Sequence, residues 1–116
     1  VGTLLWQLVA GTRGGPRRAE LLGLLERRPY NAHELSRLLG VDYKTARHHL
    51  RVLVENGLLV ADEGRYGTLY RWSPAMRRNA ADWTQVSIAL ARVTTDSETA
   101  RGNALPRSRG SADPWS

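Results

Sequence analysis

Residues 41–54, VDYKTARHHLRVLV, constrain the fold most, because they combine a helical apolar stripe with a concentration of cations on the other side. Ala46, Leu50, Leu53 and Val54 recur at the spacing of one helix face and are expected to meet a core. Tyr43, Lys44, Arg47, His48 and Arg51 fall opposite. Asp42 is suited to accept from the free amides of the first turn, and Gly57 supplies the left-handed residue that commonly ends a helix. The preceding residues 31–40, NAHELSRLLG, predict a second short helix, with Asn31 and Glu34 at capping-box spacing and Gly40 turning the chain into Val41. Helix, glycine turn, cationic helix is the helix-turn-helix pattern.

A charged helix face is often only solvated, so the placement of charge matters more than its total. Residues 13–78 hold 13 Lys and Arg against 7 Asp and Glu, whereas residues 79–116 hold 4 against 4. The whole formal excess of +6 therefore surrounds the helix-turn-helix. Such a localised footprint suits a polyanion, although an acidic protein or an anionic lipid would also meet it. At 116 residues one domain with a modest core is expected. The absence of cysteine excludes disulfides and thiolate metal sites. The apolar run at 4–10 is too short to cross a bilayer and lacks the pattern of a signal peptide, which makes a cytoplasmic protein without membrane contact the simplest expectation.

In chain order, residues 3–10 place Leu4, Leu5, Leu8 and Val9 on one side of a helix that has no core of its own. Residues 11–15, with three glycines around Arg13, have the composition of a phosphate cradle, but no P-loop lysine and serine follow, and a hinge is the better reading. Residues 16–28 form the first core helix, with Pro16 in its first turn and a wide stripe made by Ala19, Leu21, Leu22, Leu24 and Leu25. Pro29 stops it, Tyr30 is extended, and helix two adds Leu35, Leu38 and Leu39, with His33 at the surface. After the cationic helix the period becomes two. Residues 58–63 and 67–73 read as a β-hairpin with a glycine-flanked tip that exposes Arg65. Thr68, Tyr70 and Trp72 should share the inner face of its second strand, the aromatic pair serving as core.

Ser73 and Pro74 then open a longer helix running to about residue 93. Trp83, Val86, Leu90 and Val93 make a seam that can pack on its own domain or on a second copy, and a homodimer contact shared with residues 4–9 is the favoured reading. Residues 96–116 lack periodicity and read as a disordered tail, with Trp115 an isolated exception. The resulting organisation is an N-terminal amphipathic segment at 1–12, a winged helix-turn-helix at 13–73, a C-terminal helix at 74–95 and the tail at 96–116. The class is mainly α with a small β-hairpin.

The stretch DYKTARHHLRVLVENGLLV, with its paired histidines, following leucine and Glu-Asn-Gly-Leu exit, resembles the recognition helix and first wing strand of ArsR-like winged helix-turn-helix transcriptional regulators. Residues 11–75 are closer still to a set of archaeal winged-helix regulators with a similar glycine-arginine lead-in. The resemblance implies that Tyr43, Lys44, Thr45, Arg47 and His48 occupy the positions that touch DNA. It departs from metal-sensing members, since the chain has no cysteine and no histidine after His49. Adjacent His48 and His49 diverge by about 100° on a helix and cannot share a metal. No metal and no cofactor are expected, and His49, flanked at three residues by Ala46 and Val52, is assigned a structural role at the core boundary.

The expected function is sequence-specific binding of double-stranded DNA by a homodimer, with the recognition helix in the major groove and the wing on flanking backbone or minor groove. Arg47 is the candidate for a bidentate guanine contact, and Lys44, Arg51 and Arg65 suit phosphates. The alternative is a winged-helix protein-interaction module without specific DNA readout. Three histidines with no cysteine and no clustered carboxylates provide no nucleophile and base, so an enzyme is not expected.

Overall fold

The computed structural model describes residues 2–10 and 13–102, with side chains as far as residue 92. The expectations for residues 11 and 12, for the side chain of Val93 and for the tail at 103–116 with Trp115 lie outside the described residues. The elements are α1 (Gly2–Val9), α2 (Gly15–Arg27), β1 (Tyr30–Asn31), α3 (Ala32–Leu39), α4 (Tyr43–Glu55), β2 (Leu59–Gly64), β3 (Gly67–Trp72), α5 (Pro74–Arg78) and α6 (Ala80–Gly102). None of the described helices is long and apolar enough to cross a membrane.

The helix-turn-helix forms where the sequence places its caps. Asn31 and Glu34 close a reciprocal capping box at the start of α3, at 2.8 and 2.9 Å. Asp42 accepts from the Thr45 amide at the start of α4. Both helices end in a left-handed glycine, Gly40 at φ 71° and Gly57 at φ 79°. At each end two amides return to carbonyls of the last turn: Gly40 and Val41 to Arg37 and Ser36, Gly57 and Leu58 to Val54 and Leu53. Those bonds satisfy carbonyls the helices would otherwise leave open.

The three strands form one antiparallel sheet in the order β1-β3-β2, with Tyr30 opposite Tyr70 and Glu63 opposite Thr68. The alternation in β3 is as expected: Tyr70 and Trp72 are buried while Leu69 is exposed. Trp72 lies at the centre of the core. Its indole N–H donates to the Leu22 carbonyl at 2.9 Å, and its ring meets Trp83 edge-on at 6.3 Å and 87°. Around it are Leu21, Leu22 and Leu25 of α2, Leu35 and Leu39 of α3, and Leu50 and Leu53 of α4. Val54, by contrast, is only half-buried.

Two features differ from the sequence expectation. The helix expected from Pro74 to about residue 93 is broken at Asn79, and α6 extends to residue 102, through the first part of what composition marks as tail. Asn79 causes the break, because its side-chain amide donates to the Ala75 carbonyl at 2.8 Å while its own carbonyl accepts from Asp82 and Trp83 to start α6. Asparagine competes in this way with regular helix bonds. The reorientation carries Trp83 and Val86 into the core, where they join Leu5 and Val9 of α1.

The segments at both ends thus place half of their apolar stripe within the chain itself, leaving Trp6 44% and Ile88 48% exposed. The glycines between α1 and α2 serve close packing. A Cβ on Gly15 would stand 2.3 Å from the Val9 carbonyl oxygen, and one on Gly14 would stand 2.6 Å from the His49 ring.

Candidate nucleic-acid interface

On α4 the buried set Ala46, His49, Leu50 and Leu53 faces the core, and this decides where the remaining side chains go. Lys44, His48 and Arg51 lie three or four residues apart and form one exposed outward ridge. Tyr43 and Arg47, one turn apart, make a second ridge on the side of the hairpin. Thr45 is half-buried beside the cap, and Arg65 is exposed at the hairpin tip next to Tyr66, which is 93% exposed. All seven residues expected at the interface therefore reach the surface.

Three arginines of the domain have acidic partners. Arg17 pairs with Glu20, Arg28 with Glu34, and Arg71 with Asp62 across the hairpin. Among the described residues no salt bridge engages Lys44, Arg47, Arg51 or Arg65. Their charge is available to an external anion, whereas Arg17, Arg28 and Arg71 each have an acidic neighbour; exposed Arg13, Arg27, Arg37, Arg77, Arg78 and Arg92 likewise engage in no salt bridge among the described residues, so available charge is not confined to α4 and the hairpin.

His49 has the structural role expected of it. Its Nδ1 lies 3.3 Å from Nη1 of buried Arg18, whose Nε donates to the Leu8 carbonyl at 2.8 Å. A guanidinium can only donate, so Nδ1 accepts and the ring proton resides on Nε2. This chain of contacts ties the rear of α4 through α2 to α1. Burial, followed by the charges of Arg18, His48 and Arg17, lowers the His49 pKa below the ordinary histidine value.

A lowered histidine pKa makes the fold sensitive to acid. As pH falls through about 6.5 the unfolded chain takes up a proton that folded His49 resists, so stability present above that pH is lost toward the lower folded value. Thermal melts from pH 8 to pH 5 should show a decline in Tm that is smaller in His49→Gln. Equal slopes in the two proteins would remove His49 as its source.

Arg47, the candidate for a guanine contact, is exposed and lies beside aromatic side chains of α4 and β3. Its guanidinium lies 5.8 Å from the Tyr43 ring centroid, and the Tyr43 side chain, followed by that of Tyr70, favours its charged form and raises its pKa. Tyr43 is in turn stacked on His33 at 4.1 Å and 16°. Arg47 and both tyrosines line a cleft of about 330 Å³ between the start of α4 and the hairpin. Sequence reasoning had no ground for joining His33, Tyr66, Thr68 and Tyr70 to the interface. The one signal that bears on it is the capping box at Asn31, which fixes the start of α3 beside α4.

Comparison with known proteins bears on the fold that carries these residues. Residues 15–60 match the sequence model of the bacterial regulatory protein, arsR family. The matched segment runs from the start of α2 into β2 and contains the whole helix-turn-helix. No curated protein matches the chain in sequence.

Among solved structures, a probable transcriptional regulator from Pseudomonas aeruginosa is 21% identical, with a TM-score of 0.61 over 89% of this chain and 85% of its own. The transcriptional regulator BldR from Sulfolobus solfataricus is 11% identical, with a TM-score of 0.62 over 81% and 70%. The homodimeric winged helix-turn-helix DNA-binding domain Mb0332 from Mycobacterium bovis is 18% identical, with a TM-score of 0.55 over 95% and 88%. At these identities the likeness establishes the winged helix-turn-helix fold. The matched family and these structural neighbours are themselves described as regulators.

Proposed function

We propose that the chain is a sequence-specific, double-stranded DNA-binding transcriptional regulator that acts as a homodimer. The ridge of Lys44, His48 and Arg51 enters the major groove, with Thr45 at its start and with Tyr43 and Arg47 on the flank toward the wing. Arg65 reaches the neighbouring backbone or minor groove. The observation that carries this reading is that Lys44, Arg47, Arg51 and Arg65, on α4 and at the hairpin tip, are exposed and engaged in no salt bridge among the described residues, while Arg71 on the same hairpin is paired with Asp62. An arsR-type helix-turn-helix at residues 15–60 supports it. The homodimer rests on exposed Trp6 and Ile88, flanked by half-buried Leu4, Leu8 and Leu90, on two helices that pack together.

Selection of bound fragments from a randomised duplex pool, followed by footprinting, tests the proposal. A two-fold related site with half-sites about one helical turn apart, roughly 10–10.5 base pairs, is expected. Recovery of unenriched sequence would refute specific readout, and a single protected half-site would refute the dimer. Exposed Leu69, Trp6 and Ile88 favour one other reading, a protein-interaction module. Under that reading, salt would abolish duplex binding and leave capture of a protein partner unchanged.

A further inference from the structure

The cleft beside α4 has a composition that neither groove contact explains. It is floored by the start of α3, walled by α4 on one side and by β3 with the hairpin tip on the other, and holds about 330 Å³. Among the described residues that line it, Arg47 is the one permanent cation and none is acidic. Tyr43, Tyr66, Thr68 and Tyr70 bring four hydroxyls to it, and His33 brings an imidazole. The outer side of the hairpin contrasts with it, because a second hollow there is lined by Asp62 and Glu63 together with Arg65.

Duplex geometry says what passes over such a cleft. If α4 occupies a major groove and the hairpin tip the adjacent minor groove, one sugar-phosphate backbone separates the two and must cross the space between them. A cation surrounded by hydroxyl donors in a wall without carboxylates is the chemistry that holds a phosphodiester oxygen. We infer that this cleft is the seat of one backbone phosphate, with Arg47 as its cation and the surrounding hydroxyls as further donors. Arg47 is then a backbone clamp like Lys44 and Arg51, and base reading falls to His48 on the outward ridge and Thr45 at its start. His33 and Tyr43 act as positioning residues, since the stack between them supports the ring over which the Arg47 guanidinium lies.

The phosphate seat rests on the DNA-binding reading, and the two can fail separately. Binding of wild type, Arg47→Ala and Arg47→Lys is measured by fluorescence anisotropy on a selected duplex and on an unrelated one, across a salt series. Arg47→Ala should lose affinity by the same factor on both duplexes, and its slope of log K against log salt should fall by about 0.9, the value of one phosphate contact. Arg47→Lys keeps the charge and should recover the slope. A neutral methylphosphonate at the single position between the helix and wing footprints should weaken wild type and leave Arg47→Ala unaffected. His33→Ala should reproduce part of the Arg47→Ala decrease in slope.

A loss of preference at one base position with an unchanged salt slope would make Arg47 a base reader and overturn the phosphate seat alone. An unchanged slope together with unchanged preference would overturn it as well. If wild type bound neither duplex at any salt, the DNA-binding reading itself would fail. Arg47 is exposed and its removal leaves the core untouched, so matching thermal melts separate these outcomes from unfolding.

Discussion

Replacing Trp72 by alanine should lower the unfolding free energy by about 3–5 kcal/mol, the largest loss expected from any single side chain here. The indole fills the space between α2, the sheet and α6, where it is 2% exposed. Truncation removes its apolar burial and its edge-on contact with Trp83, and it leaves the Leu22 carbonyl without its 2.9 Å donor. Arg77, 5.0 Å from the ring centroid, loses its support too. Marginal stability of a domain this size makes a loss of that order a substantial fraction of the total. Urea denaturation followed by circular dichroism measures it, with Trp72→Phe as the partner variant, which keeps most of the volume and should lose less. A loss below about 1 kcal/mol for Trp72→Ala would show that the core does not depend on this indole.

Removing Lys44, Arg51 and Arg65 together should flatten the salt dependence of DNA binding more than any single change. Each cation is exposed, unpaired among the described residues, and placed on the ridge or at the hairpin tip. With about 0.9 for each phosphate no longer neutralised, the slope of log K against log salt should decrease by roughly 2.7. The fold should be unaffected, because none of the three contributes to the core. Anisotropy titrations between about 50 and 200 mM salt, with melting curves as a control, test this on the full chain. A triple variant with the wild-type slope would place the electrostatic contact elsewhere on the molecule.

The two predictions depend differently on what was legible in the sequence. The caps at Asn31, Asp42 and Ser73 and the left-handed turns at Gly40 and Gly57 act within a few residues. Local rules were enough to place them. The exposed ridge of α4 was equally legible, since helical periodicity alone separates Ala46, Leu50 and Leu53 from Lys44, His48 and Arg51. The hairpin and the inward set Tyr70 and Trp72 followed from period two. The break at Asn79 was not legible, because an asparagine can also sit within a continuous helix, and its competing bond to the Ala75 carbonyl shows only in the structure. The roles of Gly14 and Gly15 as sites of close approach were hidden as well, since the atoms they admit belong to His49 and Val9.

By itself the sequence determined the elements, their caps, the face each helix would bury and the confinement of charge to one region, all consequences of short-range periodicity and backbone chemistry. Only the tertiary structure decided which surfaces those elements bring together. Packing the hairpin back along α4 turns Arg47 from an outward position into the wall of a cleft with His33, Tyr43 and Tyr70, residues that lie up to 37 positions apart in the chain. It also folds α1 and α6 into the core of the helix-turn-helix, leaving Trp6 and Ile88 as the apolar residues that a second copy could cover. The physical reason is the same in both cases. A side chain's face follows from its own helix, but its neighbours follow from how distant segments share one buried core.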